Sequence, residues 1–133
     1  MSTPLSITRF TPTRLAAAVL LAASGWFHAE LYVHGYRTIP YIGPMFLLQG
    51  AGSFAVALLL LVSGAGVLRL GAVGLAGGAL AGFLASRTVG MFGFVETGFE
   101  PAPQALLSVL AEVAVVLLVA GPVIRRRLHR AQV

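Results

Sequence analysis

Apolar residues run along this chain in four long stretches, with polar positions gathered between them or scattered at isolated points inside them. The stretches cover residues 13–34, 45–68, 70–95 and 104–124. Each holds roughly the 20 residues that a helix needs to cross a hydrocarbon core about 30 Å thick, and a helix satisfies its own backbone where no water can. The pattern predicts an all-α fold, a four-helix transmembrane bundle. Pro40, Gly43 and Pro44 mark the first break, Arg69 the second, and the loop ETGFEPAP at residues 96–103 the third. Residues 1–12 then read as a disordered lead, 13–124 as the transmembrane domain and 125–133 as a basic tail.

Composition supports this division. Hydrophobic residues make up 58% of the 133 positions and charged ones 10%, with a mean hydropathy of +0.92, which is membrane territory. The absence of cysteine removes disulfide, iron–sulfur and thiol chemistry. A net charge of +5 would suggest nucleic acid in a soluble protein. Here the arginines sit at the edges of apolar runs instead, so no nucleic-acid partner is expected and the lipid bilayer is.

The same arginines set an expected topology. Arg9, Arg14, Arg69, Arg125, Arg126, Arg127 and Arg130 fall at the N-terminus, the second connection and the C-terminus. Four spans put these three places on one side, expected to be the cytoplasm, with both termini there. A competing reading takes Arg14 and LAAAVLLAAS as a signal peptide with small residues around Ala22 and Ser24. Cleavage there would leave three spans and break the charge symmetry.

Gly74, Gly78, Gly82, Ser86 and Gly90 recur at four-residue steps and form a ridge of small residues on one helix face. Close packing against another helix of the bundle is the first reading, with a dimer interface or a ligand groove as alternatives.

An ionisable group inside a span costs on the order of 3 kcal/mol or more, so each calls for a partner. Arg87 and Glu112 lie roughly eight and nine residues in from the outer connection, about 12 and 13 Å at helical rise, and are expected to pair. In the first stretch His28, Tyr32 and Tyr36 share one face, whereas Glu30, His34 and Arg37 share nearly the opposite one. Gln49 and Ser53 are one turn apart in the second stretch, and Gln104, Ser108 and Glu112 step by four in the last. Polar groups from all four helices thus gather in one half of the bundle. A pocket that holds or converts a molecule has a use for such a layer.

Its chemistry narrows by elimination. Bis-histidine haem ligation needs imidazoles facing each other from different helices, whereas His28 and His34 share a helix and His129 lies in the tail. A metal on Glu30 and His34 lacks the di-metal Glu-x-x-His pattern, so neither metal nor cofactor is expected. No nucleotide loop or hydrolase motif is present. General acid–base work remains: a carboxyl in a low-dielectric medium favours its neutral, proton-bearing form. Glu30, Glu112, His28 and Arg87 are the candidate catalytic residues. Trp26, Tyr32, Gln49, Phe94 and Ser108 are candidate substrate-binding residues, the aromatic ones suited to stabilising a carbocation by cation–π attraction. A lipophilic small molecule such as an isoprenoid, entering from the bilayer and undergoing cyclisation or isomerisation, fits that set.

The runs HAELYVHGYRTIPYIGPMFLLQ and SRTVGMFGFVETGFEP resemble a largely uncharacterised group of small four-span membrane proteins of high-GC actinobacteria, over residues 26–112. Size and span count are also similar to those of small membrane terpene cyclases, although no catalytic motif matches residue by residue and no roles carry over. The resemblance implies a bacterial inner (plasma) membrane location. Two other classes stay open: a non-enzymatic accessory subunit of a larger membrane complex, and a small proton-coupled transporter, as a homodimer, using Glu30 or Glu112.

Overall fold

In a computed structural model, residues 10–132 are described; residues 1–9, most of the expected disordered lead, lie outside the described residues. Four helices follow in order: α1 (Pro12–His34), α2 (Ile42–Val62), α3 (Gly66–Arg87) and α4 (Gln104–Ala131), with a 3-10 turn (Tyr36–Thr38) between the first two. All four are long and apolar enough to cross a membrane. At 1.5 Å per residue, the 21 residues of α2 extend about 32 Å, the thickness of a hydrocarbon core. The outer surface agrees. Leu48, Leu58, Leu70, Leu84 and Leu117 are each more than 60% exposed, an apolar exterior that water would not tolerate.

Local chemistry sets the helix ends, and several differ from the sequence expectation. The Thr11 hydroxyl accepts a hydrogen bond from the Arg14 amide at 3.2 Å, with Pro12 at the first helical position. Helix α2 starts at Ile42 rather than 45, taking Pro44 into its first turn, where a missing N–H costs nothing. Tyr41 turns the chain into it through a positive φ of 65° and a tight Ile42 N–H to Pro40 O bond. Gly43 packs so closely there that a Cβ would lie 2.7 Å from the Arg37 carbonyl oxygen. The second break falls at residues 63–65, not at Arg69: Ser63 caps α2, and its hydroxyl accepts from the Ala65 amide.

The third correction bears on the site. Helix α3 ends at Arg87, eight residues before the apolar run does. Phe92 and Gly93 both adopt positive φ and close a tight turn in which Met91 and Phe94 exchange backbone hydrogen bonds. The Glu96 amide then bonds the Ser86 carbonyl, folding residues 88–103 back over the bundle end. At the other extreme α4 continues through the basic run to Ala131.

The helices form a ring. α1 packs broadly on α2 and also on α4, α3 packs on α4, and the α2–α3 seam is the thinnest. Helices α1 and α2 approach closely, since a Cβ on Gly25 would meet the Ser53 Cβ at 3.1 Å and the Gly50 carbonyl oxygen at 3.2 Å. The small-residue ridge of α3 does not supply this approach. Cβ atoms on Gly74 and Gly78 would meet nothing within 4 Å. Towards the end carrying the termini the interior is aliphatic, centred on Ala18, Leu21, Ala57, Leu60, Ala72, Ala76 and Val115. Polar side chains gather towards the opposite, loop end.

Candidate functional site

Beneath the folded-back loop lies a cavity of about 120 Å³, lined from all four helices and by Met91, Phe94 and Pro101 of the loop. Its most buried polar group is Glu112, 1% exposed and among the largest fully buried side chains of the protein. The four-residue step along α4 places Ser108 one turn away, and its hydroxyl donates to Glu112 Oε1 at 2.6 Å. Across the α1–α4 contact the Ser24 hydroxyl donates to the same oxygen at 2.8 Å. Both bonds converge on Oε1. Among the described residues no protein hydrogen bond reaches Oε2, and Glu112 itself lines the cavity.

One turn beyond Ser24, the His28 ring sits with Nδ1 2.9 Å from the Ser24 carbonyl oxygen. A carbonyl only accepts, so Nδ1 carries the proton and Nε2 is the nitrogen left for other partners. Nδ1 also lies 3.8 Å from Glu112 Oε1, a proximity rather than a hydrogen bond. Aromatic rings continue the wall. His28 tilts against Phe46 at 5.0 Å between centroids, Tyr36 meets Phe46 edge-on at 4.7 Å, and Phe94 meets Tyr36 at 5.3 Å. The Tyr36 hydroxyl donates to Glu96 Oε1 at 3.0 Å. Burial, and then the adjacent Glu96 carboxylate, hold this phenol above the ordinary tyrosine range, so it remains a donor.

The expected Arg87–Glu112 ion pair does not form, because Arg87 is the last residue of α3 and turns to the loop instead. Its Nε donates to the Gly98 carbonyl at 3.0 Å, its terminal nitrogens donate to the Glu100 carbonyl and the Ser86 hydroxyl, and its cation lies 4.0 Å over the Phe83 ring. Both Arg87 and Glu112 nevertheless line the cavity. So do His28, Gln49, Phe94 and Ser108; the Gln49 amide donates to the Leu75 carbonyl at 2.8 Å across the α2–α3 seam.

Other expected residues lie elsewhere. Trp26 is 62% exposed on the outer surface. Tyr32 is half-buried outside the cavity. Glu30 and His34, on the other face of α1, border a separate outer groove with Tyr36, Glu96 and Gln104. Ser53 packs against Gly25 with its hydroxyl buried and unpartnered among the described residues. No group of three metal-binding side chains comes together among the described residues.

Several residues of the site, in its lining or bonded to Glu112, escaped the sequence reading. Ser24 stands four residues before His28, a step that announces a shared face. Phe46 precedes Gln49 by three and was legible on the same ground. Phe83 and Met91 carry no such signal, since their places depend on where α3 ends. No protein-family model matches the chain, and comparison with curated proteins and with solved structures returned no match.

Proposed function

We propose that the chain performs acid–base chemistry on the end of a lipophilic, isoprenoid-like molecule held in this cavity, with Glu112 as the proton donor and acceptor. One observation carries the reading: a buried carboxyl lining an aromatic-walled cavity commits one oxygen to two serine hydroxyls and has no protein partner on the other among the described residues. Such fixation holds the reactive oxygen in place without a charge partner.

The chemistry follows from that oxygen. In its proton-bearing form Oε2 delivers a proton to one carbon of a substrate alkene. The π electrons form the new C–H bond and leave a tertiary cation on the neighbouring carbon. Phe46, Phe94 and Tyr36 present ring faces and edges along the wall, and ring faces stabilise a passing cation. The cation then loses a proton from an adjacent carbon back to the carboxylate, giving an isomerised alkene. The route is redox-neutral and restores the acid. The His28 ring flanks the carboxyl, with Nδ1, held by the Ser24 carbonyl, 3.8 Å from Glu112 Oε1. Arg87 positions the loop that closes the cavity.

Cavity size limits what enters. A cavity of about 150 Å³ takes one benzene ring, so about 120 Å³ accepts a terminal unit and not a whole chain. The expected topology, with termini in the cytoplasm, would put the cavity in the outer leaflet of a bacterial plasma membrane. The test is the purified protein in nanodiscs with an isoprenoid polyene in deuterated water. Deuterium enters the terminal unit of the product with the native protein and with Glu30→Gln, and the Glu112→Gln protein gives none. Equal incorporation by Glu112→Gln and native protein would refute the assignment.

A further inference from the structure

The ridge of α3 changes its exposure in order along its length. Gly74 and Gly78 are exposed, Gly82 is half-buried and Ser86 is buried. Gly78, Gly82 and Ser86 also line the cavity, and Gly78 together with the 40%-exposed Met45 of α2 belongs to both the lining and the outer surface. The seam they flank, between α2 and α3, is the thinnest in the ring. One row of small residues thus runs from the lipid-facing exterior to a chamber ending at Glu112, whose side chain is 2% exposed with Oε2 unpartnered among the described residues.

From this geometry we infer that Met45 and Gly78 frame a sideways mouth through which a single hydrocarbon chain passes from the bilayer to Glu112, lying along Gly74, Gly78 and Gly82. The occupant is a membrane-resident lipid with one linear or methyl-branched chain that enters tail first. Three features select it. The mouth opens within the span, where the surrounding medium is hydrocarbon. The absence of side chains at Gly74 and Gly78 leaves a groove that a chain can follow. The chamber takes only a terminal unit, so the remainder stays in the groove and in the lipid. Gly78 is then a specificity-determining residue, because its side chain sets the width of the mouth.

The inference deepens the proposed function, and its test reads entry without reading chemistry. The full-length protein in nanodiscs is irradiated with a long-chain alkanol carrying a diazirine at its tail end, and labelled peptides are mapped by mass spectrometry. Native protein labels at Ser108 and Val109, which line the chamber. A Cβ at Gly78 meets nothing within 4 Å, so a side chain can start there without displacing a neighbour, and Gly78→Phe is the variant chosen to narrow the mouth. Chamber labelling then falls roughly tenfold, the effect of filling a site with a group for which it has no room. Met45→Trp narrows the mouth from the α2 side and gives the same loss, while labelling around Leu58 on the outer surface serves as the control for folding. Undiminished chamber labelling in both variants overturns the inference. So does a dimer that Gly78→Phe dissociates, since the ridge would then be a helix-docking face. Chamber labelling without deuterium incorporation would sink the acid–base reading and leave the mouth standing.

Discussion

Two hydroxyls on one carboxyl oxygen make a quantitative prediction. Ser24 and Ser108 approach Glu112 Oε1 at 2.8 and 2.6 Å from different helices. Removing either by substitution with alanine leaves the other in place, so the carboxyl keeps one donor. Hydrogen bonds between helices in membranes average about 0.6 kcal/mol and reach about 1.7, and typical intramolecular ones are worth about 1. Each single variant is therefore expected to lose about 1 kcal/mol. Removing both strands a carboxyl that is 1% exposed, and an unsatisfied buried acceptor costs about 1–3 kcal/mol more than a satisfied one. The double variant is expected to lose about 3 kcal/mol, exceeding the sum of the singles by about 1 kcal/mol. Reversible unfolding in mixed detergent micelles, run as a double-mutant cycle, measures this directly. Losses that add within about 0.3 kcal/mol would show that the hydroxyls share no acceptor, and the description of the site would fail. Repeating the cycle in Glu112→Leu removes the shared acceptor and should abolish the coupling.

Other expectations follow from single contacts. Gly25→Leu drives a side chain into the Ser53 Cβ and the Gly50 carbonyl and should cost about 2 kcal/mol or more in the same unfolding assay, whereas Gly74→Ala should stabilise α3 by about 0.5–1 kcal/mol through helix propensity. Arg87→Lys keeps the charge but cannot hold two loop carbonyls and the Ser86 hydroxyl with one planar fork, so amide exchange at Met91 and Phe94 should quicken while α1 and α4 stay protected. The Tyr36 phenol, held high by burial and by Glu96, should titrate late in an ultraviolet pH titration, and Tyr36→Phe should remove that late component. Because its folded value is raised, the stability it contributes is fully present below the unfolded value near pH 10 and is lost as pH rises beyond it.

Span number and helical class were legible because apolar runs of this length have few alternatives in physics. Helix ends were harder. Arg69 drew the boundary to itself because a charge interrupts an apolar run, yet Ser63 and Gly64 hold the turn chemistry. The run through Val95 stayed apolar, so only the positive-φ turn at Phe92 and Gly93 reveals that α3 stops at Arg87. That early stop turned the expected ion pair into a loop clamp. The polar layer was readable from four-residue steps, which brought Ser108 and Glu112 together on one face. Which face of α1 turned inward was not. Periodicity separates His28 from Glu30 but does not say which one meets Glu112 of α4; the Ser24–Glu112 bond, on the His28 face, does. Trp26 illustrates the same limit, since an aromatic next to the polar cluster in sequence points outward in space.

The aliphatic packing of Leu21, Leu60 and Val115, each at most 1% exposed, sits on the terminal side of Glu112. A proton or a chain end arriving at that carboxyl meets a plugged cul-de-sac and must retreat by the way it came. Vectorial passage from one face of the bilayer to the other would require this knot of side chains to come apart, at the expense of the buried aliphatic cluster.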